Sequence, residues 1–131
     1  MNIKIKKILE KKNKTKIVCL TAYSKSIAKI LDNHCDIILV GDSMANVLYG
    51  YTDIGKINLD NIIQHTISVK KATKNSLLVA DMPKDSYNNS KIAVKNAKLI
   101  IQKTSCDAVK IESNKKNFNI IKELVNNKIT V

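Results

Sequence analysis

Arginine is absent from this 131-residue chain; all 23 basic residues are lysine, set against 11 acidic ones for a formal net charge of +12. Without guanidinium groups the chain cannot make the bidentate contacts that read guanine and phosphate. The sequence is also rich in asparagine and isoleucine. Lysine, asparagine and isoleucine share A/T-rich codons, so a biased genome accounts for the charge. The lysines therefore read as solvated faces, and no nucleic-acid partner is expected. Only three glycines are present, and neither a P-loop nor a G-x-G-x-x-G stretch can be found, which excludes nucleoside-triphosphate and Rossmann-type sites. Cys19, Cys35 and Cys106 are odd in number, widely spaced and without a C-x-x-C pair. They predict reduced, buried thiols rather than a disulfide framework or a zinc site. No apolar stretch nears the roughly 20 residues that span a bilayer. The lysine-rich opening, Met1 to Lys16, is not followed by a signal-type segment. The expectation is a cytoplasmic protein with no membrane contact.

What is present is alternation. Strand-like runs at Lys16–Ala22, Asp36–Val40, Ser76–Ala80 and Ala108–Ile111 are separated by helical periodicity. The helical segments are Ser24–Asn33, Leu59–Lys70, a stripe from Ile92 to Ile101, and another from Phe118 to Val125. Met44 to Lys56 reads as a loop, and Lys128–Val131 as the beginning of a fifth strand. Such βαβ succession predicts one α/β domain over residues 1–131 with a parallel sheet. It is either a small open sheet or the first half of a (β/α)8 barrel truncated in or after strand five, because whole barrels need about 250 residues. An open parallel edge also predicts a chain that self-associates.

Three of the strand-like runs end in an acid: Ile38-Leu-Val-Gly-Asp42-Ser43, Leu77-Leu-Val-Ala-Asp81 and Ala108-Val-Lys-Ile-Glu112. Active sites of barrels lie at the C-terminal strand ends. Carboxylates converging there repel one another unless a cation stands between them, and a hard divalent ion such as Mg²⁺ suits oxygen ligands. For any one acid the alternative is a helix N-cap or a turn; three in register favour the site. Lys110 lies two residues before Glu112 and so shares its face. It would pair with Asp81 or Glu112, as part of a site or as a purely structural ion pair, or hold an anionic carboxylate. Ser43 offers a hydroxyl beside Asp42, and Thr21 and Tyr23 close the first strand. His65 lies within a helix and reads as structural, and His34 as a helix C-terminal cap. No Ser/His/Asp or Cys/His constellation is present.

Thr21-Ala-Tyr23, Leu39-Val-Gly-Asp-Ser43, Gln64-His-Thr66, Ala80-Asp-Met-Pro83 with Ser86-Tyr87, and Val109-Lys-Ile-Glu112 together resemble the ketopantoate (3-methyl-2-oxobutanoate) hydroxymethyltransferase family. The resemblance runs from about Ile3 to Val131, in family order. It implies the N-terminal half of a (β/α)8 barrel with Mg²⁺ on Asp42, Asp81 and Glu112. It also implies a small 2-oxo acid contacting Asp42, Ser43, Asp81 and Lys110, with 5,10-methylenetetrahydrofolate as cosubstrate, and a homo-oligomer in the full-length form. The family's general base, a glutamate, falls beyond Val131, so no catalytic base is assigned within the chain and the fragment alone is expected to be inactive. Lys84 stands where the family has an aromatic, Ser113-Asn114 where it has two glycines, and Ser24 where an acid is frequent. Other readings are a Mg²⁺-dependent 2-oxo acid enzyme of the phosphoenolpyruvate mutase/isocitrate lyase type, a non-catalytic fragment, or a lysine-rich nucleic-acid binder.

Overall fold

The computed structural model describes residues 2–114 and 117–131. Its order is α1 (Ile3–Lys11), β1 (Cys19–Thr21), α2 (Lys25–Leu31), β2 (Ile37–Val40), α3 (Met44–Val47), a 3₁₀ turn (Ile54–Lys56), α4 (Leu59–Lys70), β3 (Leu77–Asp81), α5 (Ser90–Thr104), β4 (Ala108–Lys110) and α6 (Phe118–Asn126). The four strands form one sheet in the order β1-β2-β3-β4, and every neighbouring pair is parallel. This is half of a (β/α)8 barrel.

Local chemistry explains where the helices begin. Ser24, Asn58 and Asn89 each stand at an N-cap and accept from a backbone N–H of the first turn. At α4 the cap is reciprocal, since Asn61 accepts from the Asn58 N–H in return. Ile62, Ile63, Thr66 and Val69 of α4 are buried, as are Ala93, Ala97, Ile100 and Thr104 of α5. These stripes cover one face of the sheet, where Ile38, Val40, Leu78, Ala80 and Val109 are buried. Each large aliphatic side chain removed from water there contributes about 2 kcal/mol.

The other face alternates with it. Ile37 and Leu39 are only half-buried while Ile38 and Val40 are enclosed. Beneath this inner face α1 supplies Ile5, Ile8 and Leu9, and the two surfaces bound an apolar hollow of about 440 Å³. Residues 3–11 form this helix although no element is expected there from the lysine-rich composition. Its apolar residues recur at helical spacing, and Asn2 caps it by accepting from Lys4 N–H. Lys4 then ties it to the sheet, with Nζ donating to the Ser76 carbonyl at 2.8 Å and lying 3.3 Å from Asp107 Oδ2.

Three local expectations change. The proposed fifth strand at Lys128–Val131 is not a strand among the described residues: Val109 N–H donates to the Thr130 carbonyl at 3.0 Å, and one such bond does not make a ladder. The Met44–Lys56 loop contains α3 and the 3₁₀ turn, the latter opened by Asp53 accepting from Gly55 N–H. Cys19 is exposed rather than buried, Cys35 is intermediate, and only Cys106 is enclosed. Cys19 is exposed because β1 is an edge strand whose three residues all reach the surface. At His34, a backbone N–H bonds the Leu31 carbonyl at the end of α2.

Candidate active site

The C-terminal ends of the strands form one rim, and β3 and β4 meet there in register, Asp81 beside Lys110. Asp81 is only 2% exposed. Lys110 Nζ donates to both of its carboxylate oxygens at 2.9 Å and lies 3.7 Å from Glu112 Oε1. From the end of β2, the Asp42 N–H reaches Asp81 Oδ2 at 3.4 Å. Burial pushes the Asp81 carboxyl upward and the charge of Asp42 adds to this, while Lys110 opposes both and does not prevail. Burial lowers Lys110, but the bond to Asp81 overcomes it and the ammonium is held above its ordinary range. Ion pairs of this kind are poor stabilisers.

Of the acids expected at this rim, Asp42 and Asp81 are brought together, whereas Glu112 stands on an exposed loop with Lys110 between it and Asp81. Among the described residues no three carboxylate, imidazole or thiol groups are gathered closely enough to hold a metal. The donor chemistry nevertheless suits a hard divalent ion. Asp42 and Asp81 repel each other across the strand ends, and a cation relieves that repulsion. Gly41 lets the backbone pass close to these groups: an added Cβ would stand 3.3 Å from Ser43 Oγ, a tight contact, and 3.6 Å from Asp81 Oδ2.

Ser43 lies at the entrance to α3 and makes no side-chain cap. Its Oγ is instead 2.8 Å from the Tyr23 phenol oxygen. His65 Nδ1 lies 2.7 Å from the Tyr23 carbonyl and its Nε2 lies 2.9 Å from the Tyr49 hydroxyl. Tyr49 in turn stacks on Tyr51, and Lys56 Nζ sits 5.0 Å from the Tyr51 ring centroid. Tyr87 also reaches this rim. Burial raises its phenol, Glu112 and Asp81 add to the rise, and the Glu112 backbone and Lys110 oppose it.

Sequence spacing alone does not assign Tyr87, Tyr49, His65 or Gly41 to the rim. His65 reads as a lone helical histidine, and what places it is the packing of α4 on β2 and β3, which brings its ring to the Tyr23 carbonyl. The departures at the rim are accommodated locally. Asn117 Oδ1 accepts from Asn114 N–H at 2.8 Å and from Ser113 Oγ at 3.0 Å, and Asn117 Nδ2 donates to the Glu112 carbonyl. These bonds hold the turn where two glycines were expected. Lys84 is exposed, and its aliphatic stem lies against the 3₁₀ turn at Gly55.

Residues 2–131 match the family model described as ketopantoate hydroxymethyltransferase. The chain is 56% identical over 131 residues to the 3-methyl-2-oxobutanoate hydroxymethyltransferase of Pelagibacter ubique, covering all of this chain and 51% of that protein. It is 47% identical over 112 residues to the enzyme of the same name from Anaplasma marginale, covering 86% of this chain and 40% of the relative. The chain thus spans about half the length of the curated relatives it matches. Among solved structures it is similar to 2,3-dimethylmalate lyase, a PEP mutase/isocitrate lyase superfamily member, with TM-score 0.65, 11% identity, and 96% of this chain on 48% of that one. Oxaloacetate acetylhydrolase superposes with TM-score 0.67 at 14% identity, over 94% of this chain and 47% of the other. At such identities the two structures share its fold alone.

Proposed function

The chain belongs to the ketopantoate hydroxymethyltransferase family, and from that premise we propose that its strand ends provide the ligand-binding half of a hydroxymethyl-transfer site. The reaction joins a one-carbon unit from 5,10-methylenetetrahydrofolate to 3-methyl-2-oxobutanoate. The observation that carries this reading is the Asp81–Lys110 pair, buried at one end and open at the other, with Asp42 against it. Both oxygens of the buried Asp81 carboxylate face an ammonium that reaches the surface, and since buried ion pairs add little to stability, a ligand accounts for the arrangement better than stability does.

In this reading Asp42, Asp81 and Glu112 hold Mg²⁺. The ion would supply Lewis-acid polarisation of the 2-oxo group, which favours loss of the adjacent C–H proton. Lys110, charged and 37% exposed in its side chain, meets the anionic acid, and Ser43 donates to its carboxylate. Asp42 and Asp81, whose carboxylates only accept, would place the acid through the ion that both hold. Three free thiols and a small anionic substrate support a cytoplasmic setting. The exposed apolar residues of the rim and edge, among them Leu20, Val47 and Leu48, support self-association. Among the described residues no helix is long and apolar enough to cross a membrane.

Thermal denaturation tests the reading. Mg²⁺ at about 100 times its dissociation constant should stabilise the fold by about 2.7 kcal/mol, and 3-methyl-2-oxobutanoate should add a further shift. Lys110→Gln should keep the metal's shift and lose most of the acid's. A melting temperature unmoved by both ligands together would sink the proposal. Gly41→Ala probes the same place: its methyl would press on Ser43 Oγ and lie in contact with Asp81 Oδ2. It should weaken binding of the 2-oxo acid about tenfold while melting close to wild type. Calorimetric titration that finds wild-type affinity would place the ligand away from Gly41.

A further inference from the structure

Ser43 occupies a helix N-cap position but does not act as a cap. Serine at such a position ordinarily accepts from an N–H of the first turn. Here its hydroxyl faces Tyr23 at 2.8 Å, and Tyr23 is itself held from behind. A carbonyl oxygen only accepts, so His65 Nδ1 must carry the hydrogen donated to Tyr23 O. In the neutral ring Nε2 then accepts, and Tyr49 O–H donates to it. Both ring nitrogens of His65 are thereby used, one on the end of β1 and the other on the segment after α3. The imidazole links the Tyr23 carbonyl to the Tyr49 side chain, just beyond the short helix that Ser43 opens.

We infer that Tyr23 is a positioning residue whose phenol donates to Ser43 Oγ, turning the serine hydrogen toward an anionic carboxylate at the rim. A phenol is more acidic than an aliphatic alcohol and is the better donor of the two. A hydroxyl has one hydrogen and two lone pairs. With a lone pair taken by Tyr23, the Ser43 hydrogen is left for a ligand. The rim beside it holds Asp42 and the Asp81–Lys110 pair, so a carboxylate there needs neutral donors as well as the ammonium. Tyr23 therefore confers preference for an acid over an uncharged analogue of the same shape. His65 keeps the phenol in place through the backbone of the same residue. This inference rests on the reading of Ser43 as a contact of the 2-oxo acid.

The test is a binding cycle on the full 131-residue chain with Mg²⁺ present, using 3-methyl-2-oxobutanoate and its amide as probes. Tyr23→Phe, which keeps the ring and its packing, should weaken binding of the acid about fivefold and leave the amide nearly unchanged. Mg²⁺ affinity in the absence of the acid should not move. Ser43→Ala should weaken the acid by a similar factor, and the double variant should lose no more than Ser43→Ala alone. A purely structural tyrosine would weaken both probes alike. Equal losses for acid and amide, or additive losses in the double variant, would overturn the positioning role and leave the 2-oxo acid site standing. Failure of the wild-type chain to bind either probe would overturn the site reading and this inference with it.

Discussion

Asp81→Asn is expected to weaken Mg²⁺-dependent binding of a 2-oxo acid by about 100-fold, the scale of losing one partner of a buried charged contact. Asp81 is the point at which the rim converges. Both of its oxygens face Lys110, and one also faces the Asp42 N–H. The amide would remove the charge that holds the ion in the proposed site and aim –NH₂ at an ammonium or a backbone N–H. Among the described residues Lys110 then keeps Glu112, 3.7 Å away and exposed, and the more distant charge of Asp42. Stability should respond weakly. Burial and the charge of Asp42 both oppose ionised Asp81, and their removal offsets the lost bonds to Lys110. The variant should melt within roughly 5 °C of wild type. Titration calorimetry checks the first effect and a thermal scan the second. Undiminished affinity for Mg²⁺ and acid would exclude Asp81 from the site.

The opposite pattern is expected at Asp32, which lies at the N-terminal ends of the strands, away from the rim. This carboxylate, 5% exposed, accepts from the backbone N–H groups of Lys74, Asn75 and Ser76 and from the Asn75 side-chain amide. It thereby holds the turn that leads into β3. Burial alone would raise its carboxyl; the N–H donors of Ser76, Asn75 and Lys74 outweigh burial and hold it below the usual carboxylate range. Asp32→Ala leaves these donors unpaired and should cost about 3 kcal/mol, a fall of roughly 10 °C in melting temperature. Ligand contacts at the rim should survive, so residual binding below the new melting point separates this variant from Asp81→Asn.

The sign of the acid response follows from the direction of the shift. A carboxyl lowered in the folded state contributes stability in full above its unfolded value near 4. That contribution is lost as pH falls through the lower folded value. Asp36, lowered chiefly by Lys11, and Asp107, where N–H and amide donors outweigh burial, act in the same direction. Wild type should therefore lose stability progressively below about pH 4, and Asp32→Ala should lose it less steeply. Identical acid slopes in the two proteins would refute this role for Asp32.

Much of this arrangement is legible before folding. The α4 stripe from Leu59 to Lys70 matches the expected bounds residue for residue, because a capping asparagine and an apolar period coincide there. Strands β1 to β4 differ from expectation by only a few residues at their ends, while the expected fifth does not form among the described residues. Composition misleads at the N-terminus, where five lysines within Ile3–Lys11 and its cap obscure an amphipathic turn pattern that α1 uses to cover the inner face. It misleads again at Cys19, since a cysteine in an apolar run is buried only if its strand is covered on both sides.

At the rim the division is sharper. Alternating apolar runs and helical stripes determine a parallel α/β order, and a period of two places Lys110 and Glu112 on one face. Sequence therefore determined that acids and a lysine would meet at the strand ends. It left open whether Lys110 pairs with Asp81 or Glu112, a choice set by the β3–β4 register, which places Asp81 directly beside Lys110. Register is a long-range property, decided by how the helices bury Val109 and Ala80, which face each other across the two strands. The same holds for Ser43. Its local sequence suits a helix cap, and only the approach of β1, with His65 of α4 behind it, turns that hydroxyl toward Tyr23.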